Sequence, residues 1–110
     1  MPEFDTAARK VYDAILAATA KFGDVKAEEK KTSVHLAGAK SAFAGVHPRK
    51  GAVLLNIRTA EPIKSDRIRK LEQVSAKRFH NEMLIDTPAG VDREVVGWLK
   101  TAFALSAGAE

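Results

Sequence analysis

The sequence predicts an α+β domain: a mostly antiparallel meander sheet in the order α-β-β-β-α-β-α, with the helices packed on one face. Three observations carry that expectation. Amphipathic helical periodicity marks both ends of the chain. Between them, strand-like runs follow one another across short Gly- or Pro-containing turns, leaving no room for the crossover helices of a parallel sheet. And 110 residues without a linker, repeat or low-complexity tract predict one domain over 1–110, large enough for a single hydrophobic core.

The first element is "DTAARKVYDAILAATAKFG". Ala8, Val11, Tyr12, Ile15, Thr19 and Phe22 recur at the three-and-four spacing of one buried stripe, with Arg9, Lys10, Asp13 and Lys21 off it. Asp5 or Thr6 is placed to cap its start, and Gly23 to end it. "DVKAEE" then reads as a short edge strand. "TSVHLA" and "SAFAGVH" follow, joined by "GAK". The next strand, "AVLLNIR", follows "PRKG", where Pro48 and Gly51 suit a tight reversal. Alternation puts Val53, Leu55 and Ile57 on one face of that strand and Leu54, Asn56 and Arg58 on the other.

"SDRIRKLEQVS" reads as a short helix capped by Ser65, with Ile68, Leu71 and Val74 or Ser75 inward. "KRFHNEMLID" reads as a strand. "TPAGVDREVVGWLKTAFALSA" closes the chain as a helix with Thr87 or Asp92 near its start. Its stripe is Val91, Val95, Trp98, Leu99 and Ala102, with Phe103 alongside. Gly97 inside that helix costs about 1 kcal/mol relative to Ala, which points to close packing there. Trp98, Leu99, Ile15, Phe22, Leu55 and Ile57 are therefore expected to share one core.

Composition narrows the function classes. Apolar residues make up 45% and charged residues 29%, as in ordinary globular proteins. No apolar run approaches the roughly 18 residues of a membrane span, so no membrane partner is expected. There is no cysteine, which excludes disulfides, thiolate metal sites and cysteine nucleophiles. With no secretory signal in "MPEFDTAARK", the expected location is the cytoplasm.

The net charge of +4 is unevenly spread. Residues 47–80 hold nine lysines or arginines against three acids, or +6, while the rest of the chain carries −2. A localised field of that kind attracts anions. Arg49 and Lys50 occupy the hairpin tip. Arg58 ends a strand, Lys64, Arg67 and Lys70 surround the short helix, and Arg78 begins the next strand. If they converge, these seven make an anion-binding surface. Phe79 is the only aromatic residue in the segment, so base stacking is not a theme.

Other chemistries find little support. His35, His47 and His80 lack metal-ligand spacing and read as strand or turn residues, so no metal is expected. The serines lie in no nucleophile elbow. The glycines form no phosphate-cradling motif, and no cofactor is expected. "EEKK" contains the acid-x-Lys string of metal-dependent nucleases. Its flanks are polar rather than those of a buried strand, so it reads as charge guarding a sheet edge.

"KKTSVHLAGAKSAFAGVHPRKGAVLLNIRTA" followed by "FHNEMLIDTPAGVDREVVGWLKTAF" resembles a small bacterial family, domain of unknown function 5655. The features shared are "KT" before the first clear strand, Phe43-Ala44, the "RK-G" hairpin, the Leu54–Ile57 strand and the "DREVVGWLKTAF" helix. The resemblance implies the same fold order and assigns no activity and no site residue. The function expected is a non-enzymatic binding module for an anionic ligand, nucleic acid or another polyanion, or an acidic partner. The alternatives are a small enzyme or degenerate metal-dependent nuclease relative, and a homodimerising accessory domain.

Overall fold

The computed structural model describes residues 3–106. Helix α1 (Thr6–Thr19) is followed by strands β1 (Lys26–Glu29), β2 (Val34–Ala37), β3 (Ala42–Arg49), β4 (Ala52–Thr59), β5 (Lys70–Ser75) and β6 (Arg78–Ile85). Helix α2 (Arg93–Ser106) ends the described chain. The strands form one antiparallel sheet in the order β1-β2-β3-β4-β6-β5. Both helices pack on one face, against β3 and β4. The Ala107 expected at the end of the last helix lies outside the described residues.

Helix α1 forms because its apolar stripe has a partner. Ala8, Val11, Tyr12, Ile15 and Thr19 are buried, and the Thr19 hydroxyl donates to the Ile15 carbonyl at 3.0 Å. Asp5 caps the first turn, its Oδ1 accepting from the Ala8 amide at 2.8 Å. Its Oδ2 accepts from the amide of Gly51 at 2.6 Å, so one carboxylate ties the helix to the β3–β4 turn. Strand β3 runs through Pro48 to Arg49, which shortens that turn to Lys50-Gly51. Gly51 sits at φ +70°, where a side chain would be strained.

Alternation in β4 holds as the sequence predicts. Val53, Leu55, Ile57 and Thr59 are buried under the helices, while Leu54, Asn56 and Arg58 face the other way. The core joins these to Val34, Leu36, Phe43, Val46, Met83, Ile85, Val95 and Leu99. Phe43 packs edge-on to Phe103 of α2, with centroids 5.5 Å apart. Of the six residues expected to share the core, Ile15, Leu55, Ile57 and Leu99 are fully buried, whereas Phe22 and Trp98 are only partly covered.

Three expectations are corrected. "SDRIRKLEQVS" is not a helix. Ser65 does cap a turn, its Oγ accepting from the Arg67 amide at 3.2 Å, but the turn stops at Ile68 and Lys70–Ser75 is strand β5. A helix this short gains little beyond its costly nucleus, whereas β6 offers ladder partners to five of the six residues, all but Val74. The true order is therefore α-β-β-β-β-β-β-α. Leu71 and Val74, expected inward, are 48% and 54% exposed. Gly97 does not mark close packing: open space surrounds it. The close approach is at Gly38, where a Cβ would collide with the Ser106 hydroxyl of α2.

Candidate anion site on the helix-free sheet face

Register decides which polar side chains meet on the uncovered face of the sheet. One transverse row crosses all six strands: Glu28, His35, Gly45, Asn56, Glu82 and Lys70. The next row places Arg58 beside His80, and His80 beside Glu72. A third places Leu54 between His47 and Leu84. All three histidines thus lie on the face away from the helices.

The most distinctive feature is a shallow pocket of about 180 Å³ lined by Ser41, Ala42, Arg58, Arg78 and His80. Arg58 is partly buried, and its Nε is shielded from water with no hydrogen-bond partner among the described residues. No carboxylate lies within 4.0 Å of either Arg58 or Arg78 among the described residues. Burial first, then the neighbouring Arg78, pull Arg58 below the usual guanidinium value. On the adjacent row the Oδ1 of Asn56 is likewise shielded and unpartnered. Two cations that repel each other, an imidazole and a serine therefore surround a space with no counterion among the described residues.

The histidines respond to the same surroundings. Burial lowers all three below 6.5; Arg58 adds to the effect on His35 and His80, and Arg49 to that on His47. The unfolded chain therefore binds protons more readily than the folded one, so stability falls as pH drops through 6.5 and then through each depressed folded value. Asp5 and Asp92, lowered chiefly by the amides of Ala8 and Val95, act only below about 3.8. We expect the melting temperature to decline between about pH 7 and 5, and a His35→Gln/His47→Gln/His80→Gln variant to decline less. An equal decline in both proteins would assign the effect elsewhere.

The seven cations anticipated from the sequence do not form one surface. Arg58, Arg78 and Lys70 share the helix-free face. Arg49 and Lys50 are exposed at the hairpin tip, beside Glu3 and Asp5 rather than the pocket. Lys64 lines a different depression of about 960 Å³ between α2 and the sheet, together with Lys77, Ile63, Phe79 and Trp98. Arg67 is engaged internally: Nη1 donates to Asp92 at 3.0 Å and Glu94 at 3.1 Å, and Nη2 to the Gly90 carbonyl at 2.9 Å. This clamp holds the loop before β5 against the start of α2, where Asp92 also accepts from the Val95 amide.

Ser41, Asn56 and the three histidines were not among the seven. The available signal was strand parity: Asn56 and Arg58 share a face in β4, and in register the histidines join them. The "EEKK" acids lie on β1, where Lys26–Glu29 are all exposed. Among the described residues no cluster of three or more His, Asp or Glu could hold a metal ion.

Two helices over one face of a six-stranded antiparallel sheet, with a polar and partly cationic face left open, define a two-layer α+β domain. The chain belongs to the family described as domain of unknown function (DUF5655), whose model matches residues 3–106. No curated protein and no solved structure matches it. No helix among the described residues is long and apolar enough to cross a membrane.

Proposed function

We propose that this domain is a binding module for an anionic ligand, and that it takes a phosphate group in the pocket between Arg58 and Arg78. The observation that carries this reading is the pair of adjacent guanidiniums without a carboxylate, one with a shielded and unbonded Nε. Arginine suits such a role because its planar fork bonds phosphate oxygens through two donors at once. Ser41 and His80 add further hydrogen-bonding groups at the rim, and Lys70 contributes charge on the same face. With no Phe, Tyr or Trp among the side chains lining the pocket, recognition falls on the phosphate rather than on a base.

A free phosphate and the backbone of a nucleic acid share this chemistry, and two probes separate them. Calorimetric titration with inorganic phosphate tests the first, and fluorescence anisotropy of a labelled single-stranded oligonucleotide at about 50 mM salt the second. Arg58→Gln or Arg78→Gln should weaken whichever binds by about tenfold or more, as expected for loss of a charge-assisted pair. Arg49→Glu/Lys50→Glu should leave phosphate binding unchanged. If the oligonucleotide binds, log affinity should fall with log salt at a slope near −0.7 per neutralised phosphate. Absence of binding by both probes, or undiminished binding by Arg58→Gln, would refute the assignment.

A further inference from the structure

We propose that β5 is a self-association edge through which two copies of this chain pair antiparallel about Leu71, joining two six-stranded sheets into one. Strand β5 does not line the anion pocket, and it forms one of the two edges of the sheet. Among the described residues, strand β5 has no neighbour on its outer side, and all six of its own residues are exposed. The opposite edge, β1, is also exposed, but three of its four residues are charged (Lys26, Glu28, Glu29). That is the usual protection of an edge against pairing. Strand β5 instead presents Leu71 and Val74, two of the three exposed large apolar side chains among the described residues.

What covers β5 follows from its own sequence. A register shift between Gln73 and Ser75 interrupts the strand, so the regular stretch available for pairing is Lys70–Gln73, just after the Arg69 amide donates to the Glu82 carbonyl. Leu71 is the position in that stretch with a positive residue on one side and a negative one on the other. A two-fold antiparallel pairing there sets Leu71 opposite Leu71 of the second copy, and each Lys70 opposite a Glu72. The charge pairs lie on the helix-free face, where Lys70 and Glu72 flank β6 at Glu82 and His80. The leucine pair lies on the other face, the side on which Asn81 is buried. Apolar meets apolar and positive meets negative at every opposed position from 70 to 72, so the strand is complementary to itself. The helices rest on β3 and β4, with β6 intervening, and so do not crowd the β5 edge.

A contact of one short strand is at the small end of specific interfaces, so a weak dimer is expected, with a dissociation constant of order 10–100 µM. Sedimentation velocity over about 10 µM to 1 mM should show the mass rising from monomer to dimer. Lys70→Glu and Glu72→Lys should each hold the chain monomeric, and the double exchange should restore the dimer. These residues are exposed, so circular dichroism should show all three variants folded. The chain has no cysteine, so Leu71→Cys supplies a single thiol. Directly opposed positions on antiparallel strands lie about 4.5–5.5 Å apart, within disulfide reach, so mild oxidation should yield a covalent dimer. Lys26→Cys on the other edge should not. A monomer at every concentration, failure of the double exchange to restore association, or equal cross-linking from Lys26→Cys would overturn the proposal.

Discussion

Replacing Leu55 with Ala should lower the unfolding free energy by about 2–5 kcal/mol, read as a shift of the denaturant midpoint at unchanged slope. Leu55 is fully buried in β4, the strand that both helices cover, with Val46 of β3 and Met83 of β6 beside it. Neighbours on two strands and a helical layer above leave little freedom to collapse into the space, which places the cost toward the upper part of that range. Leu54→Ala supplies the contrast. Leu54 lies on the opposite face, partly exposed beside Leu84, and its truncation should cost about 1 kcal/mol or less. The ratio of the two losses tests which face of the sheet is covered. Equal losses, or a loss below about half a kcal/mol at Leu55, would contradict the packing.

Asn81→Ala should be nearly as damaging, at about 2–4 kcal/mol, although it removes a polar group. Asn81 is fully buried on β6 and uses both ends of its amide. Its Nδ2 donates to the Ile57 carbonyl at 2.8 Å and to Thr59 Oγ1 at 2.9 Å, while its Oδ1 accepts from the Ile63 amide at 2.9 Å. Thr59 in turn donates to the Glu61 carbonyl at 2.5 Å. One side chain therefore fastens the segment leaving β4 to the sheet, and truncation strands several buried partners at once. Hydrogen exchange gives a local readout: the Ile63 amide should lose its protection relative to the rest of the sheet. An Asn81→Asp variant should not rescue, since it keeps the acceptor, loses both donors and buries a charge against a carbonyl.

The same segment shows why some side chains can be assigned from sequence and others cannot. Arg67 and Arg58 look alike in the sequence: each is an arginine in the basic third of the chain. Arg67 is neutralised by Asp92 and Glu94, residues 25 and 27 positions away, and serves as a clamp. Arg58 is left beside Arg78 with no carboxylate among the described residues, and only that juxtaposition makes it a candidate ligand. Neither outcome can be read from composition, because it depends on which charges the chain brings within a few ångströms. Trp98 is a further case. Its helical stripe predicts burial, but it stands at the edge of α2, beside the depression that Lys64 and Lys77 also line.

The sequence by itself determined the elements whose one buried face writes a period into the chain. These are α1, the alternating β4, the strands β2, β3 and β6, and the terminal helix α2. It also determined the α+β class and the family. Tertiary structure alone decided that Lys70–Ser75 is a strand, that β5 lies outside β6 rather than beside β4, and that Arg58, Arg78 and His80 converge. The reason is physical. A buried face must be apolar at regular intervals, and that regularity is local and visible. An edge strand exposed on all six residues has no such face, and "KLEQVS" suits a helix as readily as a strand until β6 supplies its hydrogen-bond partners. Which cation meets which anion is likewise set by register between distant segments, a quantity no local pattern encodes.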